Sequence, residues 1–352
     1  MIWKSTFLVP LLAIALAPAI RADDRTAPVY TEANIPAEAK RSTLDPEIKE
    51  WLKECPKLGA HESIEAARRA HYALVPKNPP PIGRVENIAV AGELGTTPVR
   101  IYHPKAEEPQ GPALIYLHGG GWTVGAVDQF EGAMRIFAEE GNIQVFAIEY
   151  RLAPEFRYPS QLGEAESVLR FLVDHARELK IDPARIAIGG DSAGGNMSAV
   201  LSQMMRDKKG PKIALQLLLY PECKTPFDTK AGIENVSGYY LHTNGVFLFA
   251  WNYVPQDVSS SIPYITPINA KSHADLPPAY IVTNGFDPLR DTGHEYAQLL
   301  AKGGGKVTYI HHEDFTHGFI QFTEKSRKCL AATREIGRDV GDLLRGKAIA
   351  AH

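Results

Sequence analysis

Cysteine is scarce and scattered in this chain: Cys55, Cys223 and Cys329 are the three among 352 residues, far from the close spacing that holds zinc or staples a small secreted domain. An odd count leaves at least one thiol outside any intramolecular disulfide. Long runs of Lys and Arg are missing as well. With a formal net charge of −3 the chain lacks the electrostatic footprint that a nucleic-acid partner demands. No internal repeat is visible, and no apolar run approaches the roughly 20 residues that span a bilayer. The one near the start, Phe7 to Ile20, is short and broken by Pro10 and Pro18. It follows Lys4 and precedes Arg21-Ala22-Asp23-Asp24, so residues 1–22 read as a secretory signal cleaved after Ala22 or Ala19, which places the mature chain in the periplasm or outside the cell.

Hydrophobic residues make up 44% of the chain and charged ones 22%, enough for a soluble globular protein with a sizeable core. From Arg84 onward short β-branched runs alternate with helical stretches, the rhythm of a mostly parallel sheet covered by helices. Eight strands are expected, at 85–90, 99–103, 113–117, 145–150, 185–189, 214–220, 279–283 and 307–311. The close spacing of the first two predicts an antiparallel pair; the others have room for crossover helices. Two stretches break the rhythm. Residues 23–83 form an N-terminal cap segment that ends in the stiff Pro76 to Pro81 linker, and residues 224–274 form a cap insertion between core segments 84–223 and 275–352. The insertion crowds Phe247, Leu248, Phe249, Trp251 and Tyr253 together, either as packing or as the lining of an acyl pocket. In the N-terminal segment Glu62, Glu65, Arg68 and Arg69 offer charge pairs along a helix.

Gly190-Asp191-Ser192-Ala193-Gly194 matches G-x-S-x-G. Alone the match is weak, but it follows the apolar run Ile186-Ala187-Ile188 and opens a helical stretch from Asn196 to Arg206, the strand-turn-helix that exposes a nucleophilic serine. A serine hydroxyl needs a base. His317 is the candidate, on a loop at the carboxyl end of the last strand; His311 and His312 are adjacent in that strand, and His294 and His175 sit in helices as surface residues. Asp287, just past the strand at 279–283, is the carboxylate expected to orient the base, with Asp291 one helical turn on as its competitor. The order Ser192, Asp287, His317 is that of α/β-hydrolases. His118-Gly119-Gly120-Gly121-Trp122 supplies backbone amides for an oxyanion: those of Gly120, Gly121 and Ala193 are expected to converge on one oxygen, while His118 itself reads as structural. The Gly-Lys-Ser/Thr ending of a phosphate loop is absent from that run.

Together with Tyr150-Arg151-Leu152-Ala153-Pro154-Glu155, Tyr158-Pro159, Asp287-Pro288-Leu289-Arg290-Asp291 and His317-Gly318-Phe319, these segments resemble the hormone-sensitive-lipase-like family of bacterial esterases from about Ala113 to the C-terminal helix. The resemblance implies an α/β-hydrolase fold with an eight-stranded sheet and a helical cap. It also implies hydrolysis of short to medium acyl esters without metal or cofactor, and the triad and oxyanion-hole residues just named. Phe156, Thr292 and Phe315-Thr316 depart from the family pattern. An amidase or deacetylase could use the same triad, and a ligand-binding protein could use the same scaffold. Oligomeric state has no signature here.

Overall fold

Eight runs rich in Val, Ile, Leu and Ala condense into one sheet, buried on both faces through its central strands, in a computed structural model that describes residues 35–349 apart from 60, 62, 226 and 227. The expected secretory signal lies outside the described residues. In chain order the strands are β1 (Arg84–Gly92), β2 (Gly95–His103), β3 (Gly111–Leu117), β4 (Gln144–Ile148), β5 (Ile181–Asp191), β6 (Leu215–Leu219), β7 (Ala279–Phe286) and β8 (Val307–Thr316). Their spatial order is β1-β2-β4-β3-β5-β6-β7-β8. The hairpin β1–β2 is antiparallel as its spacing predicts, and from β4 to β8 every pairing is parallel. One expectation needs correcting. No crossover helix follows β2; it runs antiparallel beside β4, because the short link to β3 cannot return the chain to the start of a parallel strand.

Helices cover both faces. On one side α3 (Val127–Gly141) packs against α9 (Arg327–Leu344); on the other lie α4 (Ser160–Asp174), α5 (Ala193–Lys208) and α8 (Arg290–Lys302). Parallel sheets require such double cover, which is why β3, β4 and β6 are buried at every position. The free edge of β8 is paired by incoming chain, with Ser42 N donating to Glu313 O at 3.1 Å and Asp45 N to Asp314 O at 2.9 Å.

Two short helices form the N-terminal cap segment, α1 (Pro46–Trp51), capped by Asp45, and α2 (Ile64–His71), capped by Ser63. Residues 224–274 contribute α6 (Lys230–Glu234) and α7 (Thr243–Tyr253). The two segments meet where Leu58 and Leu241 form a lone parallel bridge. Arg68 does not serve a helix-surface pair. It reaches from α2 to both carboxylate oxygens of Glu155 at 2.8 Å and to the carbonyls of Thr123 and Ala153, fastening the cap to the loops after β3 and β4. The aromatic crowd on α7 divides: Phe249 and Tyr253 are buried, whereas Phe247, Leu248 and Trp251 are exposed.

Close packing of α3 and α9 depends on bare backbone. A Cβ on Gly341 would lie 2.2 Å from the carbonyl oxygen of Gly141, whose own Cβ would meet Gly337 O at 2.5 Å. Replacing glycine by alanine gains about 1 kcal/mol in an open helix, yet Gly341→Ala is expected to destabilise by about 1–3 kcal/mol through overpacking. A denaturant midpoint at or above wild type would show that the helices have slack.

Glu222, three residues past β6, is buried; its Oε1 accepts from Thr225 Oγ1 at 2.6 Å and its Oε2 from Asn196 Nδ2 at 3.0 Å. Burial outweighs these bonds and pushes the carboxyl up to about 7. Because the folded value lies above the unfolded one, the neutral acid favours folding at low pH, and that contribution is lost as pH rises from about 4.5 through 7. Glu222→Gln should therefore melt higher than wild type at pH 8 by a wider margin than at pH 5. A margin that does not change with pH would refute the assignment.

Candidate active site

A helix must start within one residue of the end of β5, and that demand distorts the backbone at Ser192, which takes φ 55° and ψ −120° between β5 and α5. Two glycines make the turn possible. A Cβ at Gly190 would sit 2.3 Å, and one at Gly194 only 1.8 Å, from the carbonyl oxygen of Leu117 at the end of β3. Ser192 Oγ is consequently held at the carboxyl edge of the sheet, above the first turn of α5, whose free amides favour developing negative charge.

His317 directly follows β8 and Asp287 directly follows β7, so the same sheet edge delivers both side chains. His317 Nε2 lies 2.9 Å from Ser192 Oγ, and its Nδ1 lies 2.7 Å from Asp287 Oδ2. Leu289 N donates to the other carboxylate oxygen at 2.8 Å. All three residues are buried, and Tyr220 packs edge-on to the imidazole at 4.7 Å between ring centres. Asp291, the competing acid, is engaged elsewhere: it accepts from Arg290 Nε at 2.9 Å and from Ala231 N at 2.8 Å, tying α8 to α6.

The glycine run after β3 faces this triad. Gly120 lines a chamber with Ser192 and His317, Gly121 lies beneath the Phe249 ring, and Ala193 opens α5. Neither Gly120 nor Gly121 donates its amide to another backbone group among the described residues. The chamber has a volume of about 10 Å³ and is roofed by Leu58, His71 and Tyr240 of the two cap segments. That is room for about one water molecule. His118 is structural as expected: it stacks on Tyr150 at 4.2 Å, and the Tyr150 hydroxyl donates to its carbonyl at 2.7 Å.

Sequence reasoning passed over Asp191, although a carboxylate beside the candidate nucleophile was there to be noticed. Its Oδ1 accepts from Gly119 N at 2.8 Å and from Tyr116 Oη at 2.9 Å, joining the glycine run to the serine turn. Burial raises this carboxyl to about 7, opposed by Tyr116, His317 and the Gly119 amide. The surface reading of two histidines fails. His294 is buried with Nε2 against the carbonyl of Pro36 at 2.7 Å, because the segment before α1 runs across α8; His175 is half-buried against Phe171 at the end of α4. His311 bonds to Thr283 and the Lys40 carbonyl, and His312 stacks on Phe315.

Residues 114–321 match the model of a family described by its alpha/beta hydrolase fold. The carboxylesterase NlhH of Mycobacterium tuberculosis is 37% identical over 291 residues, which are 80% of this chain and 90% of that one. Esterase LipI of the same organism is 33% identical over 84% of this chain and 96% of its own length. Among solved structures, the hyperthermophilic esterase of the archaeon Pyrobaculum calidifontis superposes with a TM-score of 0.80 at 30% identity, covering 85% of this chain and 98% of that one. A strained serine turn, an imidazole and a carboxylate delivered by the ends of β8 and β7, and relatives matched over most of their length converge: the chain belongs to the α/β-hydrolase family, in its hormone-sensitive-lipase-like branch.

Proposed function

We propose that this chain is a serine carboxylesterase acting on short to medium acyl esters, and the observation that carries the reading is the buried relay Ser192–His317–Asp287, with contacts of 2.9 and 2.7 Å. The names of its relatives, carboxylesterase and esterase, support the same class. Ser192 Oγ attacks the ester carbonyl while His317 Nε2 removes its proton, and Asp287 holds the ring in the tautomer whose Nε2 accepts and then stabilises the imidazolium. The amides of Gly120, Gly121 and Ala193 take the oxyanion, each worth about 10²–10³ in rate. His317 returns the proton to the departing alcohol, leaving the acyl group on Ser192. Water, activated by the same imidazole, then releases the acid.

Tyr220 and Tyr240 pack around the ring of His317 and keep bulk water from it. A chamber of about 10 Å³ admits an acyl group only as its cap wall draws back, so each added methylene asks for more displacement. Activity on p-nitrophenyl esters from acetate to palmitate should therefore peak at short chains, and Ser192→Ala should lower kcat by about 10⁶. Failure to cleave any ester, or a variant within tenfold of wild type, would overturn the reading. Export is also part of the proposal, on the strength of the apolar run from Phe7 to Ile20. Expression of the full chain in a bacterium should yield periplasmic or external protein beginning at Asp23 or Ile20; a cytoplasmic protein retaining Met1 would refute it.

A further inference from the structure

The chamber above Ser192 has a polar wall that ester hydrolysis as such does not use. His71, the last residue of α2, is 1% exposed and lines the chamber, yet its Nε2 is buried with no hydrogen-bond partner among the described residues. Gln129 and Gln321 line it too. Buried imidazole nitrogens are normally paired, and an unpaired one costs free energy that an apolar side chain among Leu58, Phe130 and Tyr240 would avoid. Burial, with His61 edge-on at 5.9 Å, lowers His71 to about 4, so the ring is neutral at working pH and can either give or take a hydrogen bond.

We propose that His71 binds the substrate, its Nε2 pairing with a hydroxyl or similar neutral polar group on the acyl carbon next to the ester carbonyl, which makes esters of small 2-hydroxy acids the preferred class. The inference rests on the esterase reading. Three observations fix the chemistry. The chamber is small, so the polar group must lie within a few bonds of the carbonyl. No Lys or Arg lines it, and its carboxylate, Asp191, is held by Tyr116 and Gly119, so an ionised acyl group would find no counter-ion. The chamber also lies directly over Ser192 beneath the cap, and the part of an ester retained at Ser192 is the acyl group, since the alcohol departs before water attacks.

The test compares ethyl lactate with ethyl isobutyrate, in which a methyl group replaces the hydroxyl at nearly constant shape, with p-nitrophenyl acetate as reference. Wild type should favour lactate by about tenfold in kcat/KM. In His71→Leu the lactate-to-isobutyrate ratio should fall to near one whatever the absolute rates, and His71→Gln, which keeps a hydrogen-bonding amide, should hold most of it. A residue that merely supported the cap would depress both esters alike and leave the ratio in place. No lactate preference in wild type, or a ratio untouched by His71→Leu, overturns the proposal while p-nitrophenyl acetate is still cleaved. Loss of p-nitrophenyl acetate cleavage in wild type as well would instead bring down the esterase reading beneath it.

Discussion

Everything at this site depends on how closely the turn at Ser192 presses against the end of β3. The carbonyl of Leu117 fills the space where side chains at positions 190 and 194 would project, so only glycines allow β5 to stop and α5 to begin within one residue. That approach fixes the serine on a strained backbone, and it also brings the loop after β3 within reach of Asp191. One carboxylate oxygen of the serine turn then joins the two halves of the site, taking both the Gly119 amide and the Tyr116 hydroxyl from β3 and the loop that follows it. The glycine run is thus held in place before any ligand arrives, which is what makes a backbone amide effective against a developing charge.

Three buried carboxyls surround this turn, and their partners give them different work. Asp287 faces an imidazole and a backbone amide, and its position past β7 sets it against His317. Asp191 and Glu222 meet only neutral donors in their hydrogen bonds, and burial lifts both towards neutrality. Neither touches His317 by hydrogen bond, so they act as braces: Asp191 between β3 and β5, Glu222 between β6 and α5 through Asn196. Burial thus works against two further full negative charges around an imidazole that must cycle through its cation.

All eight strands, and the meeting of Ser192, Asp287 and His317, could be read from the sequence because each follows a local rule. The central strands are continuous apolar runs, β1, β2 and β8 carry β-branched residues among polar ones, and Ser192, Asp287 and His317 each sit within one residue of a strand end, so counting along the chain locates them. What escaped reading depends on contacts between distant residues. Arg68 looked like half of a helix-surface pair because nothing nearby announces Glu155, 87 positions away. His294 looked exposed because the segment that buries it comes from Pro36, 258 positions earlier. The place of β2 beside β4 follows from the shortness of its link to β3, a length that was visible but whose consequence needs the sheet assembled. His71 gave no signal, since a histidine at a helix end is ordinary until the opposing cap segment closes over it.

The cap is fastened unevenly, and the unevenness decides which part can yield to a substrate. On one side Asn235 donates to the carbonyls of Gly285 and Asp287, so the start of the cap insertion is locked to the loop that carries the orienting acid. On the other, Arg157 donates to the carbonyls of Trp251 and Val254, and Tyr253 stacks on Trp122 at 4.4 Å, pinning the end of α7 to the glycine loop. Between these anchors the insertion meets the N-terminal segment through two backbone hydrogen bonds, Leu58 N to Tyr240 O at 2.8 Å and His242 N to Leu58 O at 3.0 Å. Each is worth about 0.5–1.5 kcal/mol net, because water replaces it on opening. Parting at this seam moves Leu58 and Tyr240 off the chamber; it breaks these two bonds, about 1–3 kcal/mol together, and also exposes the buried side chains of Leu58, Tyr240 and Leu241. Displacing either anchor would disturb Asp287 or the glycine loop itself. The seam is therefore where the roof can open while the residues beneath it stay in register.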